Sequence, residues 1–263
     1  MNTVEAPVRT APLGYLLHLA DNALVLGQRN AEWCGNGPVL EEDIALANMS
    51  LDLIGQARML YQHAAVVSGD GATEDSLAYF RDATGFRNYT LLELPHATST
   101  SERDYATTIV RNFLYSALML LLWEALQKSE DAQLAAIAGK SFKEVRYHFR
   151  HSRDWLVRLG DGTPESHART QAALKHLMPY TQEYWAPSAI ETVADSKGHA
   201  IDAAALKSDW DELVNDALQE AGLQRPTLQA GLPQGKNGQH SDHLAPLLAE
   251  MQSLARAHPH ALW

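Results

Sequence analysis

Residues 41–65 read EEDIALANMSLDLIGQARMLYQHAA, and this stretch decides the fold class. Its apolar residues recur at steps of three and four positions, with no proline and a single glycine, which is typical of a long helix with one broad buried face. In a helical bundle, such a face can carry a metal site built from a carboxylate and a histidine one turn apart. The candidate positions here are Leu53 and Gln56, so the stretch raises the question of whether this bundle is an enzyme.

The same periodicity predicts helices along the rest of the chain. Four long helices are predicted, over residues 13–30, 40–67, 102–129 and 131–159. Ser101, with Asp104 three residues later, approximates a capping box at the start of the third. Shorter or later helices are predicted over 73–83, 166–185 after Thr163-Pro164, 202–222 and 241–257. Pro179 is expected to kink the helix over 166–185.

No alternating run of strand length, internal repeat or strong domain boundary interrupts these segments. The sequence therefore predicts one all-α domain over residues 13–263, with four long core helices and additional C-terminal helices. Residues 1–12 contain two prolines and are predicted to be a flexible leader.

Charge and cysteine content exclude several classes of protein. The chain of 263 residues has 32 acidic and 21 basic residues, and this balance argues against non-specific nucleic-acid binding. Cys34 is the only cysteine, so no internal disulfide can form, and a reducing compartment is expected. The longest uncharged run lies between Arg111 and Glu124, which is too short to span a membrane. We expect a cytoplasmic protein without an export signal.

Two stretches resemble metal-binding patterns. A scan for Glu-x-x-His finds Glu93 and His96, but Pro95 lies between them in a predicted loop, which favours chance. The fourth long helix carries Glu144, His148 and His151, a set that could bind zinc or iron. Basic residues interleave with these three, which favours a solvated or partner-facing helix face.

Charged residues also occur among apolar neighbours on the long helices. Asp21 lies in the first helix and Arg111 in the third, and a buried charge must be paired. One interpretation places both at helix edges facing water. The other pairs Arg111, Asp21, Asp52 and His148 inside the bundle, in the position where metals would otherwise lie.

The segment Gly235-Lys236-Asn237-Gly238-Gln239-His240 precedes the start of the last predicted helix. Backbone amides and a lysine beside a helix amino end are suited to an anion. A mobile, solvated loop is the simpler interpretation. The nearby His240 and His243 have no third ligand close in sequence, so we do not expect them to form a metal pair.

Four stretches resemble one protein family across nearly the whole chain. They are DNALVLGQRNAEWCG, LANMSLDLIGQARMLY, IAGKSFKEVRYHFRHSRDWLVRLGDGT and KNGQHSDHLAPLLAEMQ. They are similar to the C subunits of phenylacetyl-CoA 1,2-epoxidases, bacterial multicomponent monooxygenases of phenylacetate degradation. The resemblance implies a ferritin-like bundle that pairs with a homologous catalytic subunit holding a di-iron centre.

The resemblance also implies where the ligand positions of the catalytic sibling fall. Its second helix has a pattern similar to Asp-Glu-Ala-Gly-His, which matches Asp52 to Gln56 here and places Leu53 at the glutamate and Gln56 at the histidine. On the fourth helix, Val145 stands opposite a glutamate and His148 opposite a retained histidine. The carboxylates of the first and third helices correspond approximately to Leu24 and Arg111. The resemblance thus implies a degenerate site that holds no metal or cofactor.

The leading hypothesis is a non-catalytic, structural subunit of an oxygenase that epoxidises the ring of phenylacetyl-CoA with dioxygen. Electrons from NADPH would arrive through a separate reductase, and other subunits would complete the assembly. Residues Lys236, His240 and His243 are the candidate contacts to a partner or to the CoA thioester, and self-association remains open. The alternative is a self-sufficient ferritin-like di-metal oxidase that uses Glu144, His148 and His151. A stand-alone ligand-binding helical protein is a third possibility.

Overall fold

A computed structural model describes residues 10–97, 103–196, 198–201, 203–227 and 232–261. Over these ranges the regular structure is helical, and only an isolated bridge between Gln234 and Gln239 has β geometry. The helices are α1 (Leu13–Ala31), α2 (Leu40–Ser68), α3 (Glu74–Tyr79), α4 (Tyr105–Leu126), α5 (Ala132–Gly160), α6 (Pro164–Leu177), α7 (Gln182–Trp185), α8 (Ala189–Asp195), α9 (Lys207–Glu220), α10 (Leu244–Met251) and α11 (Ser253–Ala257). The all-α prediction with four long core helices is confirmed.

The four long helices form two pairs that meet along one seam. Helix α1 packs along α2, α4 packs along α5, and the pairs join where α2 contacts α5. Helices α6 and α9 cover α4 on its other side. Helix α4 is long and apolar enough to cross a membrane by length and composition, but 78% of its most apolar window is buried inside the fold. It is a core helix, as its short uncharged run predicted.

Local sequence explains where the longest helices begin and end. The first turn of α2 carries Glu41, Glu42 and Asp43, whose negative charges interact favourably with the helix dipole. Gly69 ends α2 in the left-handed conformation (φ 67°), which glycine adopts without steric cost. Asp131 caps α5, because its carboxylate accepts the backbone N–H groups of Gln133 and Leu134, the second and third residues of the helix.

Several predicted boundaries need correction. The third long helix begins at Tyr105 and is capped by Asp104, while the proposed cap Ser101 lies outside the described residues. The predicted kink at Pro179 is a break, because α6 ends at Leu177 and a 3-10 turn contains the proline. Helix α8 was not predicted from the sequence, and two short helices, α10 and α11, occupy the region of the last predicted helix.

The predicted flexible leader extends too far along the chain. Ala11 is buried, and its backbone N–H donates to the Asp131 carboxylate over 2.7 Å. His63 of α2 contacts the same carboxylate at 2.7 Å. Asp131 thus joins the segment before α1, the end of α2 and the start of α5, so Ala11 is part of the folded domain.

Candidate functional site

The positions that the resemblance matched to metal ligands lie inside the bundle. The i, i+3 spacing puts Leu53 and Gln56 on one face of α2, and the same spacing puts Val145 and His148 on one face of α5; all four are buried. Leu24 of α1 is buried too. The three apolar residues of this set belong to the continuous hydrophobic core, so packing occupies much of the predicted pseudo-site.

The two polar residues of this set are bound to side chains rather than aimed at a shared centre. The Gln56 amide donates to the Glu144 carboxylate over 2.9 Å, and His148 contacts the Asp52 carboxylate at 3.0 Å. Each pair links α2 to α5. A pair of iron ions requires several carboxylates beside its histidines. This donor set is not present at the matched positions. Leucine and valine stand at two positions matched to glutamates, and an amide stands at one position matched to a histidine.

The three residues of the alternative site on α5 contact three different side chains. Glu144 accepts from Gln56, His148 pairs with Asp52, and His151 contacts Glu42 at 2.8 Å. Within the ranges that the structure covers, no three side chains of His, Cys, Asp or Glu are arranged to hold a metal ion. The self-sufficient oxidase is therefore not favoured.

Asp21 is fully buried, but it does not join the predicted four-residue cluster. Its carboxylate is paired with both terminal nitrogens of Arg81, accepts the Tyr61 hydroxyl at 2.5 Å and accepts the backbone N–H of Arg87 at 2.8 Å. The Arg81 guanidinium also stacks on the Phe86 ring, 4.4 Å from its centre. Asp21 thus ties α1 and α2 to the segment after α3.

Arg111 is also fully buried and lies apart from Asp21 and Asp52. Its Nη2 donates to the Pro95 carbonyl over 2.6 Å. Of the four side chains predicted to meet, only Asp52 and His148 do so. The four-residue cluster does not form, because Asp21 pairs with Arg81 and Arg111 donates to a loop carbonyl, and sequence spacing does not reveal those neighbours. The interpretation that places Asp21 and Arg111 at helix edges facing water is also wrong, since both are fully buried.

Glu93 and His96, which the sequence analysis attributed to chance, are buried structural residues. The Glu93 carboxylate accepts the backbone N–H and the hydroxyl of Ser241, at 2.8 and 2.7 Å, and is paired with His240. Burial lowers the pKa of His96 to about 4, so its ring is neutral. Its Nε2 lies 2.8 Å from the Arg29 carbonyl, which requires the hydrogen on that nitrogen.

Lys236 is not the exposed anion-binding lysine that the sequence predicted. Its side chain is 1% exposed, and its ammonium pairs with Glu191 over 2.7 Å. Its backbone N–H donates to the Glu183 carboxylate over 2.8 Å. The charge of Lys236 is compensated by Glu191 inside the fold, and His240 is paired with Glu93. Of the three predicted contacts, only His243 is exposed.

Glu183 was missed by the sequence analysis, because nothing in its local spacing distinguishes it from a surface glutamate. Its two oxygens accept backbone N–H groups from Thr90 and Lys236, each at 2.8 Å. It therefore fastens the loop before α10 to the segment before α4. Burial raises the pKa of Glu183 to about 7, although both N–H groups favour its ionised form.

The sequence of the whole chain supports one family. A profile of the family described as "Phenylacetic acid catabolic protein" matches residues 2–263. The chain belongs to this family. It is similar to the C subunit of the 1,2-phenylacetyl-CoA epoxidase of Escherichia coli (strain K12), with 44% identity over 249 residues. The match covers 95% of this chain and 98% of that protein, so this member of the phenylacetic acid catabolic family aligns with it from end to end.

Replacing Asp21 should show how much the family fold depends on its buried ion pair. We expect Asp21→Asn to lower the free energy of unfolding by about 3 kcal/mol, because it leaves the mostly buried Arg81 guanidinium without its counter-charge. Asp52→Asn is the matched control, since Asp52 is partly exposed; it should cost about 1 kcal/mol or less. Denaturant unfolding measures both, and equal losses would contradict this interpretation.

Glu183 should make stability depend on pH. Its folded pKa of about 7 lies above its ordinary value of 4.5, so its contribution is fully present below 4.5 and is lost as the pH rises through 7. The stability difference between wild type and Glu183→Gln should fall by roughly 3 kcal/mol over that range. Unfolding curves from pH 4.5 to 8 test this, with exposed Glu250→Gln as the control. A pH-independent difference would refute the assignment.

Proposed function

We propose that this chain is a non-catalytic, structural subunit of a phenylacetyl-CoA 1,2-epoxidase complex that serves phenylacetate degradation. A homologous catalytic subunit would hold the di-iron centre, and a reductase would supply electrons. The observation that carries the proposal is the apolar packing of Leu53 and Val145 where the catalytic sibling is expected to have glutamates. The end-to-end similarity to the C subunit of an epoxidase adds independent support.

In this role, the chain supports the catalytic subunit rather than performing a reaction step. Its long helices are held together by packing and by the α2–α5 contacts, neither of which needs a metal. We place the complex in the cytoplasm, consistent with the exposed single cysteine, Cys34. The buried Lys236 does not favour a CoA contact through its ammonium, which leaves exposed His243 as the candidate from that loop.

Removing the remaining ligand-like side chains should leave epoxidation unchanged. We expect complexes containing Gln56→Ala or His148→Ala to retain wild-type iron content and wild-type turnover of phenylacetyl-CoA, because neither side chain would touch iron. Complexes without this chain should lose activity, since the catalytic subunit would lack its support. Metal analysis and product assays on reconstituted complexes measure these outcomes.

The control is an alanine substitution of an iron ligand in the catalytic subunit, which should abolish both iron binding and turnover. Two results would refute the proposal. One is stoichiometric iron on this chain when it is purified alone. The other is full activity of the catalytic subunit without this chain.

An exposed row of apolar side chains on α2 supports a partner surface. Leu40, Ile44, Leu51 and Ile54 are 72%, 51%, 65% and 38% exposed. Their spacing of i, i+4, i+11 and i+14 places them on one side of the helix. Contiguous exposed apolar surface on a soluble protein marks an interaction site. We assign this α2 apolar row to the contact with the catalytic subunit.

Positive charges placed on the α2 apolar row should weaken binding to the catalytic subunit without destabilising the fold of this chain. We expect Ile44→Lys combined with Leu51→Lys to weaken binding to the catalytic subunit by roughly tenfold or more, because two ammonium groups would be buried at the contact. The thermal midpoint of the isolated chain should change little, since both positions are exposed. Val193→Lys with Leu254→Lys, also exposed apolar positions, is the matched control. Unchanged affinity in the first variant would remove the assignment.

A further inference from the structure

The Arg111 guanidinium is only partly satisfied by the protein around it. The residue is fully buried in α4, and its Nη2 donates to the Pro95 carbonyl. Its Nε and Nη1 are buried and have no hydrogen-bond partner among the described residues. Because Nε carries one hydrogen and Nη1 carries two, three N–H donors remain without an acceptor.

The carboxylate that acts electrostatically on Arg111 is Glu32, and it is already bound to another arginine. Glu32 accepts from Arg29 at 2.7 Å in an ion pair, and the Arg29 guanidinium also donates to the Glu93 carbonyl. The pKa of Glu32 is about 2, since its contacts with His96 and Arg29 outweigh its partial burial, so it carries a single negative charge. Two guanidinium groups therefore share one carboxylate in this region.

The electrostatic effect of Arg111 also reaches two histidines near it. His96 is neutral, and the electrostatic effect of Arg111 contributes to its lowered pKa. His176 of α6 also has a lowered pKa, first because of its partial burial and then because of Arg111. The described charged groups that act on Arg111 are Arg29 and Glu32, whose opposite charges offset each other, so Arg111 has no described counter-charge of its own.

Neutralising Arg111 by deprotonation does not resolve this imbalance. Burial, with a further contribution from Arg29, lowers the pKa of Arg111 to about 9, which still leaves the guanidinium charged at neutral pH. A buried charge without a counter-charge is strongly destabilising. A water molecule could accept an N–H hydrogen, but it would leave the charge uncompensated.

We propose that Arg111 binds a small monovalent anion, either a halide such as chloride or a small carboxylate such as formate. The anion would accept from Nε or Nη1 and would balance the second guanidinium beside the Arg29–Glu32 pair. Such a site would lie in the core beside Arg111 of α4, near the Pro95 carbonyl that Nη2 contacts. It is independent of the proposed role of the chain in a complex.

Anion-dependent stability of the full-length chain tests the proposal. Thermal unfolding is measured in chloride, bromide, formate and sulfate at constant ionic strength, for the wild type, Arg111→Met and Arg169→Met. Arg169 is the matched control, because it is an exposed arginine that pairs with Asp104. We expect a saturable rise in midpoint of roughly 2 to 5 °C in the wild type and in Arg169→Met, at ten times the dissociation constant.

Arg111→Met should lack the saturable part and keep only the general effect of salt, which all three proteins share. Saturation by chloride and bromide would identify a halide site, and saturation by formate alone would identify a carboxylate site. Parallel titrations in Arg111→Met and the wild type would overturn the proposal.

A crystal of the wild type grown in bromide gives a direct test that does not depend on the variant folding. We expect an anomalous peak within hydrogen-bond distance of Nε or Nη1 of Arg111. Water alone beside both nitrogens, with formate also absent from crystals grown in it, would overturn the proposal.

Discussion

A buried carboxylate needs a compensating partner, and this constraint joins segments that lie far apart in the chain. Asp21 holds the segment after α3 against α1 and α2 through Arg81. Asp131 joins the start of the domain to α5, while Glu93 and Glu183 fasten the loop before α10 onto the segment before α4. The long helices provide the framework, and these carboxylates decide how the loops and the C-terminal part lie on it.

At the positions matched to metal ligands, the interior of the bundle contains apolar side chains instead of paired charges. Leu24, Leu53 and Val145 remove the need for a counter-charge, because they have no charge to compensate. Well-packed apolar side chains are often at least as stabilising as the buried ionic groups they replace. A bundle built this way can remain rigid without iron, which is the property that a supporting subunit requires.

Arg111 differs from both arrangements. It occupies the core like Leu53, yet it keeps a charge like Arg81, and among the described residues its Nε and Nη1 have no hydrogen-bond partner. Arg81 is stabilised because Asp21 and an aromatic ring surround it. The described groups around Arg111 do not supply enough hydrogen-bond acceptors and negative charge for its guanidinium. This difference from Arg81 is the physical basis for the proposed anion site.

The sequence by itself determined the all-α class, the four long helices and the family, because helical periodicity and local motifs are properties of neighbouring residues. Of the four-residue cluster that was one of its two interpretations, only the contact between Asp52 and His148 forms. Only the tertiary structure decided that Asp21 pairs with Arg81, that Lys236 is buried against Glu191 and that two nitrogens of Arg111 have no hydrogen-bond partner among the described residues. These pairings join residues separated by dozens of positions, and they depend on how loops pack onto helices, which spacing along the chain does not encode.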